Sequence, residues 1–160
     1  MHGDMFLKLK SAKGGDVKGE ANDSVHGGEI DVLSFSWGMK GASMGAAGNA
    51  ARSTMDSLHI TKEVDCASTA LMSVLRTNDV VKQAVLSVRK PGGGAPLDFL
   101  TITIAEGRIS GYELVTDPQK QSRLIEHITI SFQKIEVAYV GQTKTGGPTG
   151  TTMFEAETAD

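Results

Sequence analysis

The sequence predicts a mainly β domain, a β-barrel or β-sandwich with one α-helix packed on it. Three observations carry this. Several segments alternate apolar and polar residues with a period of two. A single segment repeats its apolar residues at helical spacing. Clusters of Gly, Pro, Asn and Asp punctuate the rest and end the strands.

Taken in order, Met5 to Lys10 alternates and opens the fold as a strand, with Phe6 on one face and Met5 and Leu7 on the other. Ser11 to Gly28 is rich in Gly, Lys, Asp and Glu, and reads as turns with one short strand near residues 17–21. Glu29 to Gly38, "EIDVLSFSWG", reads as one strand with unlike faces. Leu33, Phe35 and Trp37 share a parity and are expected to form barrel core. Ile30, Val32, Ser34 and Ser36 share the other, which ends in small hydroxyls.

Residues 39–54, "MKGASMGAAGNAARST", have no period of two. Their glycines each cost a helix about 1 kcal/mol against Ala, so the segment is expected to be a long loop. Met55 to Glu63 returns to strand. Asp65 then suits a helix N-cap. Ala67, Ala70, Leu71, Val74 and Leu75 follow at helical spacing, and Asn78 is a plausible stop. Strands are expected over Gln83–Lys90, Leu97–Ala105 and Arg108–Val115, with "KPGGGAPLD" and "TDPQKQS" as turns. Leu124 to Val140 is the longest strand signal. Its apolar parity changes between Phe132 and Ile135, which calls for a bulge or a bend. Gly141 to Asp160 is Thr/Gly-rich, then acidic, and is expected to be a partly mobile tail.

Composition narrows the function. At 160 residues the chain suits one domain, here residues 1–160. A domain of this size buries roughly two-thirds of its unfolded surface. The formal charge is −3, with no basic run, which argues against nucleic acid as a partner. No segment approaches the ~20 apolar residues of a membrane helix, so membrane insertion is not expected. The single cysteine, Cys66, cannot form an internal disulfide. The opening "MHGDMFLKLK" lacks the features of a signal peptide.

No catalytic pattern emerges, so the chain is not expected to be an enzyme. His2, His26, His59 and His127 share no metal-ligand spacing, and no metal or cofactor is expected. His59 and His127 each fall on the polar face of a strand and read as surface or interface residues. "SFSWG" lacks the first glycine of a nucleophile elbow. Cys66 starts the helix, but no motif supports a reactive role. "GMKGASMG" and "GQTKTGGPTG" both fail the phosphate-loop pattern.

Four blocks, in this order, resemble a known family. They are "DMFLKL", "KGEANDSVHGGEIDVLSFSWGM", "LHITKEVDCASTALM" and "LIEHITISFQKIEVAYV". Together they are similar to the Hcp family, the haemolysin-coregulated proteins of bacterial type VI secretion. His26 to Gly38 is the most specific block.

The resemblance implies a two-sheet β-barrel with one helix on its side, similar to phage tail-tube proteins. It implies a homohexameric ring, stacked into the inner tube of a contractile machine. Partners would be other copies, a VgrG spike protein, the contractile sheath and baseplate, and secreted effectors carried in the ring. Such a protein is made in the cytoplasm and leaves with the tube. On this reading Ser34 and Ser36 face the lumen; the residues alone leave ordinary solvent open. The extended loop, residues 38–55, would reach a neighbouring protomer or ring through Met39, Lys40, Met44 and Arg52; a solvent-exposed loop remains the alternative. A small-ligand β-barrel is the competing function.

Overall fold

The computed structural model describes residues 4–41, 53–90, 97–143 and 148–158. Strand β1 (Met5–Ser11) pairs antiparallel with the short β2 (Gly15–Val17) and with β3 (Ile30–Asp31). Next come β4 (Ser34–Ser36), β5 (Met39–Lys40), β6 (Thr54–Met55) and β7 (Leu58–Glu63). The helix α1 spans Ser68–Arg76. After it run β8 (Val81–Arg89), β9 (Asp98–Thr116), β10 (Leu124–Ser131), β11 (Lys134–Gln142) and β12 (Pro148–Glu157).

The strand path runs β2-β1-β8-β9-β10-β7-β4, with β11 added to β9 and β12 to β11. It forms two halves. One holds β1, β2, β3, β8, β11 and β12; the other holds β10, β7 and β4; β9 serves both. The expected two-sheet β-barrel with a side helix is the fold found. It does not close, since among the described residues β2 and β4 end the path. The core lies between the halves and is largely aliphatic: Leu7, Leu9, Leu58, Ile60, Leu86, Ile104, Ile128 and Ile130 are all fully buried.

The corner between the halves is built twice, at one place. On β9 the buried parity passes from Ile102 and Ile104 to Gly107 and Ile109. Glu106 sits between them at φ 54°, a left-handed conformation at which the buried parity shifts by one residue, while the register with β8 runs on unshifted from Ala105 to Gly107. Opposite, β10 ends at Ser131 and β11 starts at Lys134, and the parity shifts from Ile130 and Phe132 to Ile135. Gln133 N–H donates to the carbonyl of Ala105 across the corner, 3.3 Å. Gly107 permits the close approach: a Cβ there would lie 2.4 Å from the carbonyl oxygen of Ser131.

The two corner strands therefore differ from their sequence reading in opposite ways. The 124–140 signal divides into β10 and β11 at the predicted change of parity. The 97–105 and 108–115 signals fuse into one 19-residue strand, because backbone partners exist on both sides of Glu106.

Helix α1 starts and stops on local chemistry. The Asp65 carboxylate accepts Ala67 N–H at 2.9 Å, and Asp65 N–H donates to Ser68 Oγ at 3.0 Å. These reciprocal bonds shape the turn just ahead of the helix; the N-cap position itself falls on Ala67, which offers no side-chain cap, and not on Asp65 as expected. At the other end Asn78 takes φ 53°, while Asn78 N–H reaches Leu75 O and Asp79 N–H reaches Val74 O. That is the Schellman arrangement, with Asn in the place glycine often takes. Leu71 and Val74 face inward, and Ala67 is buried just ahead of the first turn.

Glu29–Gly38 corrects the sequence reading. It is two short strands, not one. β3 pairs with β1 in the first half, and β4 pairs with β7 in the second. The chain crosses between them at Val32–Leu33 and loses its parity there. Ile30 and Val32 are buried, against expectation. Leu33, expected in the core, is 38% exposed. Phe35 and Trp37 are half-buried and pack against the core. At the end of the chain, where a loose tail is expected, Pro148–Glu157 forms β12 against β11. Residues 42–52 of the expected loop lie outside the described residues, and β5 and β6 pair at its root.

Candidate functional site

The face singled out by Ser34 and Ser36 extends over four strands. Antiparallel partners share a face, so register alone defines it. One row runs Ser34–Thr61–His127–Glu113 across β4, β7, β10 and β9. The next runs Ser36–His59–Thr129–Gly111. Ser34, Ser36, His59, His127 and Glu113 are exposed, and Thr61 and Thr129 are half-exposed. The reverse of the same strands carries Phe35, Leu58, Ile60, Ile128 and Ile130, which face the core.

The two histidines stand at diagonal positions across β7 and β10. His127 Nδ1 is hydrogen-bonded to Thr61 Oγ1 at 3.1 Å, and His59 Nδ1 to Thr129 Oγ1 at 3.2 Å. Each imidazole is thus held by the threonine directly opposite. Gly111 makes room for the second pair, since a Cβ there would press on the Thr129 side chain at 3.2 Å. Ser36 lies opposite His59, but no hydrogen bond joins the two among the described residues, so the geometry supplies no activated serine.

A buried charge network backs this face. Lys62 and Glu126, cross-strand partners on β7 and β10, point inward from beside Thr61 and His127. Lys62 Nζ contacts the Glu126 carboxylate and reaches Asp65 at 2.8 Å. Ser68 Oγ donates to Glu126 at 2.8 Å, and Tyr112 donates to its other oxygen. Burial pushes the Glu126 pKa up, but the bonds from Lys62, Tyr112 and Ser68 outweigh it and hold the carboxyl below its ordinary range. Burial and the Glu126 carboxylate together push the Tyr112 hydroxyl well up. Asp65 and Ser68 also start α1, so the network ties the helix to the strands behind the polar face.

A second cluster fixes the loop before β3. His26 Nδ1 lies 2.8 Å from a Glu29 oxygen, and Nε2 lies 2.8 Å from an Asp98 oxygen. Its ring stacks on Phe6, and Arg89 covers that phenyl ring within 5.2 Å. Arg89 also grips Asp23 with two parallel bonds of 2.8 Å. Only an imidazolium has two N–H groups to offer two carboxylates. Burial disfavours that charge, but the bonds to Glu29 and Asp98 prevail and raise the pKa above its ordinary value.

The other sequence candidates are dispersed. Met39 and Lys40 are exposed on β5, which pairs with β6 in a separate two-stranded sheet. Met44 and Arg52 lie outside the described residues. Sequence reasoning set His59 and His127 side by side only as separate surface residues, since nothing local states the register of strands 66 to 70 residues apart. The role of His26 had one local signal, its i, i+3 spacing to Glu29. Among the described residues no group of three or more His, Cys, Asp or Glu side chains could hold a metal ion. No helix among them is long and apolar enough to cross a membrane.

The open two-sheet barrel with one side helix is a fold of type VI secretion proteins. A solved structure of a type six secretion system protein shares it at a TM-score of 0.79, with 25% identity, covering 92% of this chain and 91% of that one. A type VI secretion system effector from Yersinia pestis matches at a TM-score of 0.75, with 26% identity over 96% of this chain and 99% of that one. Protein hcp1 of Pseudomonas aeruginosa is 36% identical over 152 residues, covering 91% of this chain and 90% of the relative. The family model described as "Type VI secretion system effector, Hcp" matches residues 6–139. The chain belongs to the Hcp family of type VI secretion proteins.

Proposed function

We propose that the chain is a structural subunit of the type VI inner tube, with Ser34, Ser36, His59, Thr61, His127 and Thr129 lining the channel. Six copies form a ring, rings stack, and secreted effectors travel inside. The observation that carries this is the amphipathic wall formed by β4, β7, β10 and part of β9. One side is sealed by core and a buried charge network. The other is an exposed, contiguous surface of hydroxyls and imidazoles bearing no Lys or Arg in its two central rows. Such a surface can pass varied protein cargo without strong adhesion.

The strand ends support assembly. β4 and β12 present unpaired backbone edges among the described residues, and such edges invite pairing or cover by a neighbour. Met39 and Lys40 on β5, with Met44 and Arg52 outside the described residues, are the proposed protomer or ring contacts. A VgrG spike protein, the contractile sheath and the baseplate would be the further partners. The chain would fold as one domain in the cytoplasm and leave with the tube. The competing ligand-barrel reading is disfavoured, because buried Leu and Ile side chains fill the space between the halves.

Negative-stain electron microscopy of the purified protein is the test. Uniform six-fold rings with an open centre are expected. Only monomers, at every concentration, would overturn the assembly.

A further inference from the structure

We propose that His59 and His127 form a two-imidazole site for a borderline divalent transition metal such as zinc. The site goes beyond the tube reading and does not depend on it, since both histidines belong to one chain. They occupy diagonal positions on neighbouring strands, on one exposed face. Diagonal neighbours lie about 7–8 Å apart at the backbone, with Cβ atoms somewhat closer, a span that two long side chains can bridge. Imidazole nitrogen suits zinc, nickel and copper.

The two rings are already oriented. Metal-bound histidines generally donate their second ring N–H to a fixed acceptor, which sets the tautomer and aims the free nitrogen. Here Thr61 Oγ1 and Thr129 Oγ1 stand against the two Nδ1 atoms. Among the described residues neither Nε2 has a hydrogen-bond partner. With Nδ1–H donated to threonine, each Nε2 keeps its lone pair for a metal. The rows place Glu113 beside His127 and no cation between the rings, so the local field favours a cation. Zinc is tetrahedral, so two protein ligands leave two positions for water or for a side chain of a bound protein.

The test uses the full chain with His2→Ala, which removes an unrelated imidazole, titrated with zinc chloride by calorimetry. One ion per chain is expected. His59→Gln and His127→Gln should each weaken binding at least tenfold. Thr61→Val and Thr129→Val should weaken it by about tenfold, the usual scale for lost support of a ligand. Nitrogen-15 spectra of the imidazoles should show zinc on Nε2 with Nδ1 protonated in both rings. Absence of zinc binding would overturn the site. So would full affinity in either histidine variant, or coordination through Nδ1. Circular dichroism of each variant separates a lost site from a lost fold. A variant that does not fold leaves the imidazole spectra of the parent chain to decide.

Discussion

Lys62 and Glu126 stand directly opposite on β7 and β10, and their facing ammonium and carboxylate groups are shielded entirely from solvent. An isolated buried charge is far more costly than a buried pair. Removing one partner from such a pair costs about 3–5 kcal/mol, whereas replacing both with apolar groups is often neutral or better. Lys62→Met and Glu126→Leu should each lower the denaturant midpoint sharply, and the double variant should recover most of the loss. Chemical denaturation at fixed protein concentration measures it. Two singles whose losses simply add would show that the pair is not coupled.

His26 makes the loop before β3 sensitive to pH. Its folded pKa lies above the ordinary value of about 6.5. The added stability is therefore complete below about pH 6.5 and is lost as pH rises through the folded value. Asp23 and Arg89 do not titrate in that window: their paired bonds push the Asp23 pKa down and the Arg89 pKa up. Melting temperature should fall with rising pH more steeply for the native chain than for His26→Gln. Parallel curves would remove the imidazolium from this role.

The corner of the barrel depends on a missing side chain. Gly107→Ala would drive a Cβ into the backbone of Ser131 and should cost about 1–3 kcal/mol. Gly150→Ala, where a Cβ meets nothing within 4 Å, should stay within about 0.5 kcal/mol. Thermal melts of the two variants give the contrast, at roughly 2–4 °C per kcal/mol for this chain length. Equal melting temperatures would mean that the corner shifts freely.

Ser36 tests the proposed channel. Ser36→Trp places a large ring beside His59 on an exposed face, so folding and ring formation should persist. Retention of a co-expressed effector should fall, as read by pull-down. Loss of rings in electron micrographs would instead make this face an interface between protomers.

Much of the fold is legible because its causes are local. The period-two segments become strands. Asp65 shapes the turn ahead of the helix, and Asn78 and Asp79 close its end, through bonds to residues two to five positions away. The parity change after Phe132 marks the corner, since core side chains must stay inside when the sheet turns. The polarity of Ser34 and Ser36 is legible too, because a short hydroxyl side chain gains little from burial.

Tertiary structure decided what depends on which strands meet. Leu33 alternates perfectly with Phe35, yet it is exposed, because the chain changes sheets just before it. Two strand signals join across Glu106 because backbone partners on both sides outweigh one strained residue. His59 and His127 face each other's threonines only through the register of β7 on β10. Alternation is written residue by residue, and from it the sequence alone determined a mainly β barrel or sandwich with one helix. Pairing between strands tens of residues apart is settled by the joint burial of all their side chains, so only the folded chain placed two distant histidines on one face.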